Sequence, residues 1–199
     1  MDHNKHHIII YVQSLLGVGH LVRMARIAEA VAHCGYKISI LNGSLRKIDL
    51  NHPYIKWVQL PGLKARDVVF SSLTDEHDHQ PSKNLWQKRH QKGIEVFDHL
   101  DSGVFIVEGY PFARGSFHAE ISAFLKKSRA KGFYNICSVR DIIVSKQKTN
   151  WAEQTIGRLN DFFDELWIHG DADFIDFGTS FLKIKDIHIK KIYTGYVVP

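Results

Sequence analysis

Short apolar runs rich in β-branched residues recur along the chain: His7 to Val12, Lys37 to Leu41, Ile55 to Leu60, Val104 to Val107, Tyr134 to Val139, Leu166 to His169 and Lys190 to Tyr193. Their near-continuous hydrophobicity predicts strands buried on both faces. The stretches between them carry helix spacing instead. Leu21, Met24, Ala25, Ala28, Val31 and Ala32 fall on one stripe, Arg23, Arg26, Glu29 and His33 fall off it, and Gly35 ends the pattern. Weaker stripes occupy Asn84 to Leu100, Phe117 to Lys131 before Gly132, and Trp151 to Phe163. Strands alternating with helices predict an α/β fold: a Rossmann-like parallel sheet of about seven strands with four or five flanking helices. Between Pro61 and Ser82 neither period holds, which predicts a long loop, and loops of that length in compact domains tend to carry function. No repeat or Pro/Gly-rich linker divides residues 1–199, so the chain reads as one domain.

Composition narrows the classes. With 44% apolar and 24% charged residues the chain is globular, which excludes disordered and collagen-like classes. Its net charge of +5 is not gathered into a tail. The densest cationic stretches, Lys126 to Lys131 and Lys183 to Lys191, are interrupted by apolar residues as amphipathic elements are, so nucleic acid is not an expected partner. Two cysteines, Cys34 and Cys137, make no disulfide framework and read as packing thiols, which points to the cytoplasm. No run approaches the roughly 20 apolar residues of a membrane span, so any membrane contact is expected to be peripheral. His3, His6 and His7, and the pair His77 and His79, lack a matching second set of ligands, so no metal site is expected.

In an open parallel sheet, ligands bind beyond the carboxyl ends of the strands, where loops diverge and helix N-termini present their amides. Gln13 to His20 follows the first run, Asn42-Gly43-Ser44 the second, Glu108 to Arg114 the fourth, Arg140-Asp141 the fifth and Gly170-Asp171 the sixth. In the first loop, Gly17 and Gly19 allow a tight turn with backbone close to a ligand. His20 then falls in the first helical turn, where the helix dipole favours a neutral ring suited to general-base work. A Gly-rich turn with a capping histidine is the plainer reading of the same residues. Glu108, where a buried strand meets the crevice, could fix His20, bind a substrate hydroxyl, cap the next helix or pair with Arg114. Arg140 and Asp141 point to opposite faces of an extended chain, one toward a ligand and one bracing a loop, or else form a plain ion pair. A nicotinamide fingerprint is excluded because Val22 stands at the third glycine position and the second strand ends in Leu41-Asn42; a P-loop is excluded because no Gly-Lys-Ser/Thr follows the turn.

Ile8 to Leu21, with Gly17-Val18-Gly19-His20 at its end, resembles the opening of a family of bacterial predicted glycosyltransferases related to the N-acetylglucosaminyltransferase that makes lipid II. Val58-Gln59-Leu60-Pro61, Val107 to Phe112, Cys137 to Ile142, His169-Gly170-Asp171 and Tyr193 to Val197 extend the likeness over essentially the whole chain. The resemblance implies the N-terminal, acceptor-side half of a two-domain GT-B enzyme, ending at the interdomain linker, with no cofactor. The reaction it implies is inverting, metal-independent transfer from a UDP-sugar to a glycan or lipid-linked acceptor. His20 matches the position of the base, Gly17 and Gly19 the loop near the diphosphates, and Glu108, Arg114, Arg140 and Asp141 recurrent crevice residues.

No donor half follows Pro199, so the resemblance implies little activity for this chain alone and a fragment or split half that needs a partner chain; a homodimer is a further expectation. A nucleotide-sugar hydrolase of GT-B form shares Gly17-x-Gly19-His20-x-x-Arg23, and a non-catalytic module holding a glycan or partner is the remaining alternative. Trp86, Phe70 and Phe97 are candidates for a membrane-facing surface, as in related enzymes with lipid-linked acceptors, or for ordinary core.

Overall fold

A computed structural model of the chain describes residues 7–66, 72–144 and 150–198. These form strands β1 (His7–Val12), β2 (Lys37–Ser44), β3 (Ile55–Ala65), β4 (Leu73–Thr74), β5 (Gly103–Glu108), β6 (Tyr134–Arg140), β7 (Glu165–His169) and β8 (Lys190–Tyr193). The α-helices are α1 (Gly19–His33), α2 (Lys83–Asp98), α3 (His118–Ala130) and α4 (Trp151–Phe162). One sheet carries all eight strands in the order β4-β3-β2-β1-β5-β6-β7-β8. Every neighbouring pair is parallel except β3 and β4. The α/β architecture expected from the apolar runs is therefore the one observed.

Alternation along β1 divides the core into two layers. Ile8, Ile10 and Val12 face α1, which buries Leu21, Met24, Ala28 and Ala32 against them and against Ile38, Ile40, Ile106 and Ile136. Ile9 and Tyr11 face the other way, into a larger layer where α2, α3 and α4 bring Phe97, Ile121, Phe124, Leu125 and Leu159, and residues 177–187 bring Phe177, Phe181 and Ile187. At roughly 25 cal/mol per Å² of apolar surface removed from water, these two layers supply the main drive to fold. Helix α1 stops as expected: Gly35, at φ +88°, donates its N–H to Ala32 O and turns the chain back toward β2.

Two details of the sequence reading change. The segment from Pro61 is not all loop, because β3 runs on to Ala65 and Lys64–Ala65 pair with the short β4. The registers Asn42↔Gln59 and Ser44↔Leu63 reveal a bulge between them, which hid the strand period. Cys34 is exposed rather than packed, since it lies just past the last buried position of α1, whereas Cys137 is buried. Residues 67–71, including Phe70, lie outside the described residues. Phe97 is fully buried, the ordinary-core alternative, and Trp86 is half-buried against Phe117 with ring centroids 5.6 Å apart. Among the described residues no helix is long and apolar enough to cross a membrane.

The chain order fixes where a crevice opens. From β1 the chain winds outward through β2 to β3, then crosses back by α2 to β5, on β1's other side, and winds the opposite way to β8. Helix α1 leaves β1 toward one face of the sheet and α3 follows β5 on the other, so the loops after β1 and β5 part from each other. That gap is the topological switch point at which open α/β sheets bind ligands.

Candidate functional site

The loop after β1 is held by its neighbours before it reaches the crevice. Ser14 N–H donates to Ser44 Oγ (2.7 Å), the buried Gln13 amide donates to Leu63 O (3.0 Å), and Ala65 N–H donates to Leu15 O (3.1 Å). Gly17, Val18 and Gly19 then lie exposed at the rim. Neither glycine adopts a left-handed conformation, and a Cβ at either would meet nothing within 4 Å, so the turn itself does not demand glycine. What glycine preserves there is open access to backbone.

Helix α1 starts at Gly19 with no side-chain cap and no acidic residue in its first turn, and His20 stands in that turn. Glu108, the last residue of β5, is 1% exposed. Its Oε1 lies 2.5 Å from His20 Nδ1 and accepts a hydrogen bond from Arg23 at 2.8 Å; its Oε2 accepts from Arg114 at 3.2 Å. One carboxylate at the end of β5 thus gathers three side chains, two from the start of α1 and one from the loop after β5.

Local geometry makes this possible. Gly109, at φ +76°, turns the chain sharply out of β5, a conformation that penalises any side chain. Tyr110 and Phe112 are buried as anchors, and Ala113 N–H closes back on Gly109 O at 2.7 Å. Arg114 itself sits at φ +62°, left-handed for a residue with a Cβ, which returns its guanidinium to Glu108. Strain of this kind is concentrated at functional sites.

The electrostatics follow from burial and partners. Burial pushes the Glu108 carboxyl up, but the hydrogen bond from His20 and the charges of Arg114, His20 and Arg23 outweigh it and hold the group at about 2. As an ionised, acceptor-only group, Glu108 takes the Nδ1 hydrogen of His20, which makes Nε2 the accepting nitrogen whenever the ring is neutral. Nε2 has no hydrogen-bond partner among the described residues, and the side chain is 39% exposed. The arrangement is a carboxylate–imidazole dyad with its reactive nitrogen open to the crevice.

A second imidazole stands behind the first. His169, at the end of β7, is 5% exposed, with Nε2 2.8 Å from Ser138 Oγ and Nδ1 2.7 Å from Thr194 Oγ1. Burial and the charge of Arg23 lower it to about 4, the charge of Glu108 opposing, so it is neutral near pH 7. It ties β6, β7 and the segment after β8 together.

The expected site residues do not all converge. His20, Glu108 and Arg114 touch, so Glu108 fixes the histidine and also pairs with Arg114. Arg140 is exposed at the end of β6 and makes no ion pair among the described residues. Asp141 turns away from it: its carboxylate accepts from Ile142 N–H (2.9 Å) and from Tyr196 OH (3.3 Å), and it packs against Gly170. The plain Arg140–Asp141 pair is absent, and Asp141 braces the loop. Arg23, which the sequence brings in only through the Gly17-x-Gly19-His20-x-x-Arg23 pattern, joins His20, Glu108 and Arg114, since its place three residues after His20 puts both on one helix face.

Two open grooves flank the crevice without including His20 or Glu108. One, about 520 Å³, runs beside α1 over Trp167 and His169; the other, about 590 Å³, lies between Pro61-Gly62 and α2.

No family model matches the chain, and no curated protein matches it. Solved structures do match. The chain aligns over 98% of its length with 53% of Phytolacca americana UGT2 complexed with UDP-2fluoro-glucose and pterostilbene, at 9% identity and a TM-score of 0.57. It aligns over 97% with 48% of a ugt transferase from Siraitia grosvenorii in complex with UDP, at 10% identity and 0.56. It aligns over 96% with 53% of CalG4, the calicheamicin glycosyltransferase, at 11% identity and 0.52. At such identities the likeness is one of fold, that of GT-B glycosyltransferases. The chain spans about half the length of each of these three solved chains.

Proposed function

We propose that this chain is the acceptor-binding half of an inverting, metal-independent UDP-sugar glycosyltransferase of the cytoplasm, completed by a donor-binding half. The observation that carries the proposal is the 2.5 Å contact between His20 Nδ1 and the buried Glu108 carboxylate at the switch point, with Nε2 left unpartnered at the surface. The likeness to UDP-bound glycosyltransferases over half of their length supports the same reading.

The chemistry then runs through this chain's own atoms. An acceptor hydroxyl donates its hydrogen bond to His20 Nε2. As the hydroxyl oxygen attacks the anomeric carbon, its proton passes to Nε2. The bond from that carbon to the nucleotide diphosphate breaks on the opposite side, and the bond's electron pair leaves with the phosphate oxygen; attack opposite the leaving group inverts the centre. Glu108 stabilises the imidazolium so formed, as a carboxylate does behind the histidine of a hydrolytic triad. Gly17 and Gly19 let the reactants approach the backbone at the start of α1. General-base removal of this kind is worth about 10²–10⁴ in rate.

Turnover of the complete enzyme carrying His20→Ala tests the assignment. A fall in kcat of about 10²–10⁴ is expected, with the fold intact and the unfolding free energy lowered by about 1–3 kcal/mol, because the change takes a hydrogen bond from the buried Glu108 carboxylate. Wild-type turnover would refute the base. Water could use the same dyad, with Arg23 beside it, which makes nucleotide-sugar hydrolysis the second reading. Free monosaccharide released without an acceptor would select that reading over transfer.

A further inference from the structure

We propose that Arg114 is a positioning residue for the base: it holds Oε2 of Glu108 and so keeps that carboxylate from closing a two-bond fork with Arg23, which leaves Oε1 in line with the ring of His20. The proposal rests on His20 being the base and adds the residue that keeps its carboxylate in register.

The molecule shows elsewhere how an arginine takes a buried glutamate when nothing intervenes. Arg89 meets Glu120 through Nε to Oε2 and Nη2 to Oε1, both 2.8 Å, the two-pronged geometry that guanidinium and carboxylate prefer. Arg23 meets Glu108 through Nη2 alone, to Oε1 at 2.8 Å. The same nitrogen lies 3.4 Å from His20 Nδ1, whose hydrogen points at Glu108. The Nε of Arg23, the prong that Arg89 uses, is buried and has no partner among the described residues. The second oxygen is already taken: Oε2 accepts from Nη2 of Arg114 at 3.2 Å. Arg114 forgoes its fork as well, since its own Nε is buried without a partner among the described residues. Two arginines thus bind one carboxylate by one bond each, where one arginine could bind it by two.

Charge balance does not call for this arrangement. Glu108 carries a single charge, which Arg23 alone would meet. Arg114 is kept beside it at the cost of a left-handed backbone at φ +62° and an orphaned N–H, and costs of this kind point to a task. The task follows from His20. Its Nδ1 lies 2.5 Å from Oε1, and an imidazole N–H is fixed in the plane of its ring, so the oxygen has to be brought to it. A hydroxyl is less demanding, which is how Tyr11 OH reaches Oε1 of Glu120 at 2.7 Å although Arg89 has closed its fork on that group. Turning the Glu108 carboxylate until Oε2 meets Nε of Arg23 would carry Oε1 off the His20 contact. Arg114 comes from the loop after β5, whereas Arg23 and His20 share α1, so its bond fixes the carboxylate relative to that helix.

NMR of the His20 ring nitrogens and of the arginine Nε–H groups tests the proposal on the chain itself. At alkaline pH, wild-type His20 is expected to carry its hydrogen on Nδ1, and the Nε–H of Arg89 to lie downfield as a bonded group while that of Arg23 does not. A wild-type hydrogen on Nε2, or an Arg23 Nε–H shifted like that of Arg89, overturns the proposal without any variant. In Arg114→Gln, with its fold checked by circular dichroism, the Arg23 Nε–H should move downfield and His20 should become a mixture of tautomers. Adding Arg23→Lys removes the fork and should return the hydrogen to Nδ1, an effect that lost packing at Arg114 would not produce. Ring signals unchanged in Arg114→Gln overturn the proposal, as does a double variant whose tautomers stay mixed. In the complete enzyme, Arg114→Gln should lower kcat about 10²-fold at an unchanged acceptor KM, because Arg114 touches the carboxylate and not the substrate. A raised KM at wild-type kcat would make Arg114 a substrate contact instead and overturn it. Ring signals that behave as expected beside a fully active His20→Ala enzyme would keep the clamp and sink the base; an inactive His20→Ala enzyme beside an unchanged Arg114→Gln ring would keep the base and sink the clamp.

Discussion

Two buried carboxylates stand on opposite sides of the switch point, and their surroundings differ in one respect. Glu120 of α3 accepts two hydrogen bonds from Arg89 of α2, from Nε to Oε2 and from an Nη to Oε1, both 2.8 Å, and a third from Tyr11 OH at 2.7 Å. The rest of the Arg89 fork is spent on Gly43 O, Pro61 O and Gln13 Oε1, with the rings of Trp86 and Phe117 about 5.5 Å and 5.4 Å away. A Cβ at Gly43 would come within 2.7 Å of the Arg89 fork and 2.1 Å of Gln13 Oε1, so glycine is what lets these groups meet. Nothing of Arg89 is exposed and no donor is left over. Glu108, equally buried, has the reverse: every acceptor used, and guanidinium donors unspent around it. Satisfied ion pairs of the first kind hold architecture, here the ends of β1, β2 and β3 against α2 and α3. The second kind leaves donors without a protein partner among the described residues, as at Arg23 and Arg114.

The sharpest way to break this comparison is to cut the closed network. Glu120→Ala leaves Arg89 buried without its counter-ion, and removing one partner of a buried pair costs about 3–5 kcal/mol. Urea unfolding should register that loss, or the variant should fail to fold. The double variant Arg89→Met with Glu120→Leu should recover most of it, since apolar residues of similar volume replace such pairs at little cost. A single variant as stable as wild type would show the network to be ornament.

The matching change in the open cluster should cost less in stability and more in function. Glu108→Gln leaves Arg23 and Arg114 facing a neutral amide, but Arg23 is 17% exposed and can turn to water, so a loss of about 1–3 kcal/mol is expected. Turnover of the complete enzyme should drop by about 10²–10⁴, because the amide neither fixes the tautomer of His20 nor stabilises its charged form. If instead Glu108→Gln destabilised as strongly as Glu120→Ala while turnover held, the two clusters would be alike and the crevice merely structural.

The contrast also explains what could be read from the chain alone. Buried strands announce themselves as apolar runs, which is why β1 fell within the stated bounds and β2, β5 and β6 ran only one to three residues further; β8 kept its bounds too, although it is a half-exposed edge strand. The N-terminal turn of α1 and the carboxyl end of β5 were legible because polar residues follow apolar runs abruptly. Arg89 was not legible. It sits amid Lys88, His90 and Lys92 in what reads as a solvated helix face, and only the spacing of Arg89, Gly93 and Phe97 along one buried stripe betrays it. Its partner lies 31 residues away, and a pairing across two helices leaves no local pattern. The length of β3 was hidden by the register shift, where three residues of β3, Leu60 to Gly62, stand against Gly43 alone and break the period of two.

The most gradual expected effect, at most about 1.4 kcal/mol per pH unit, distinguishes the crevice from the frame behind it by pH. His169 has a folded value of about 4, below the ordinary 6.5, so between those values the unfolded chain binds the proton the native protein refuses. Its contribution is fully present above pH 6.5 and is lost as pH falls toward 4, with a slope of at most about 1.4 kcal/mol per pH unit. Glu108, lowered from 4.5 to about 2, contributes above 4.5 and loses its share only as pH falls through that lower window. Urea midpoints measured from pH 7 to pH 3 should therefore decline in two stages. His169→Gln should flatten the first, leaving the smaller fall due to His7 and His118, whose values are also lowered by burial first and by nearby cations second. Glu108→Gln should shrink the second stage, leaving the share of Asp75, Asp98 and Glu153, whose carboxyls are also held below their usual range by hydrogen bonds. A single stage unmoved by either change would mean that neither buried group titrates differently in the folded protein, and the ionised carboxylate on which the dyad depends would lose its support.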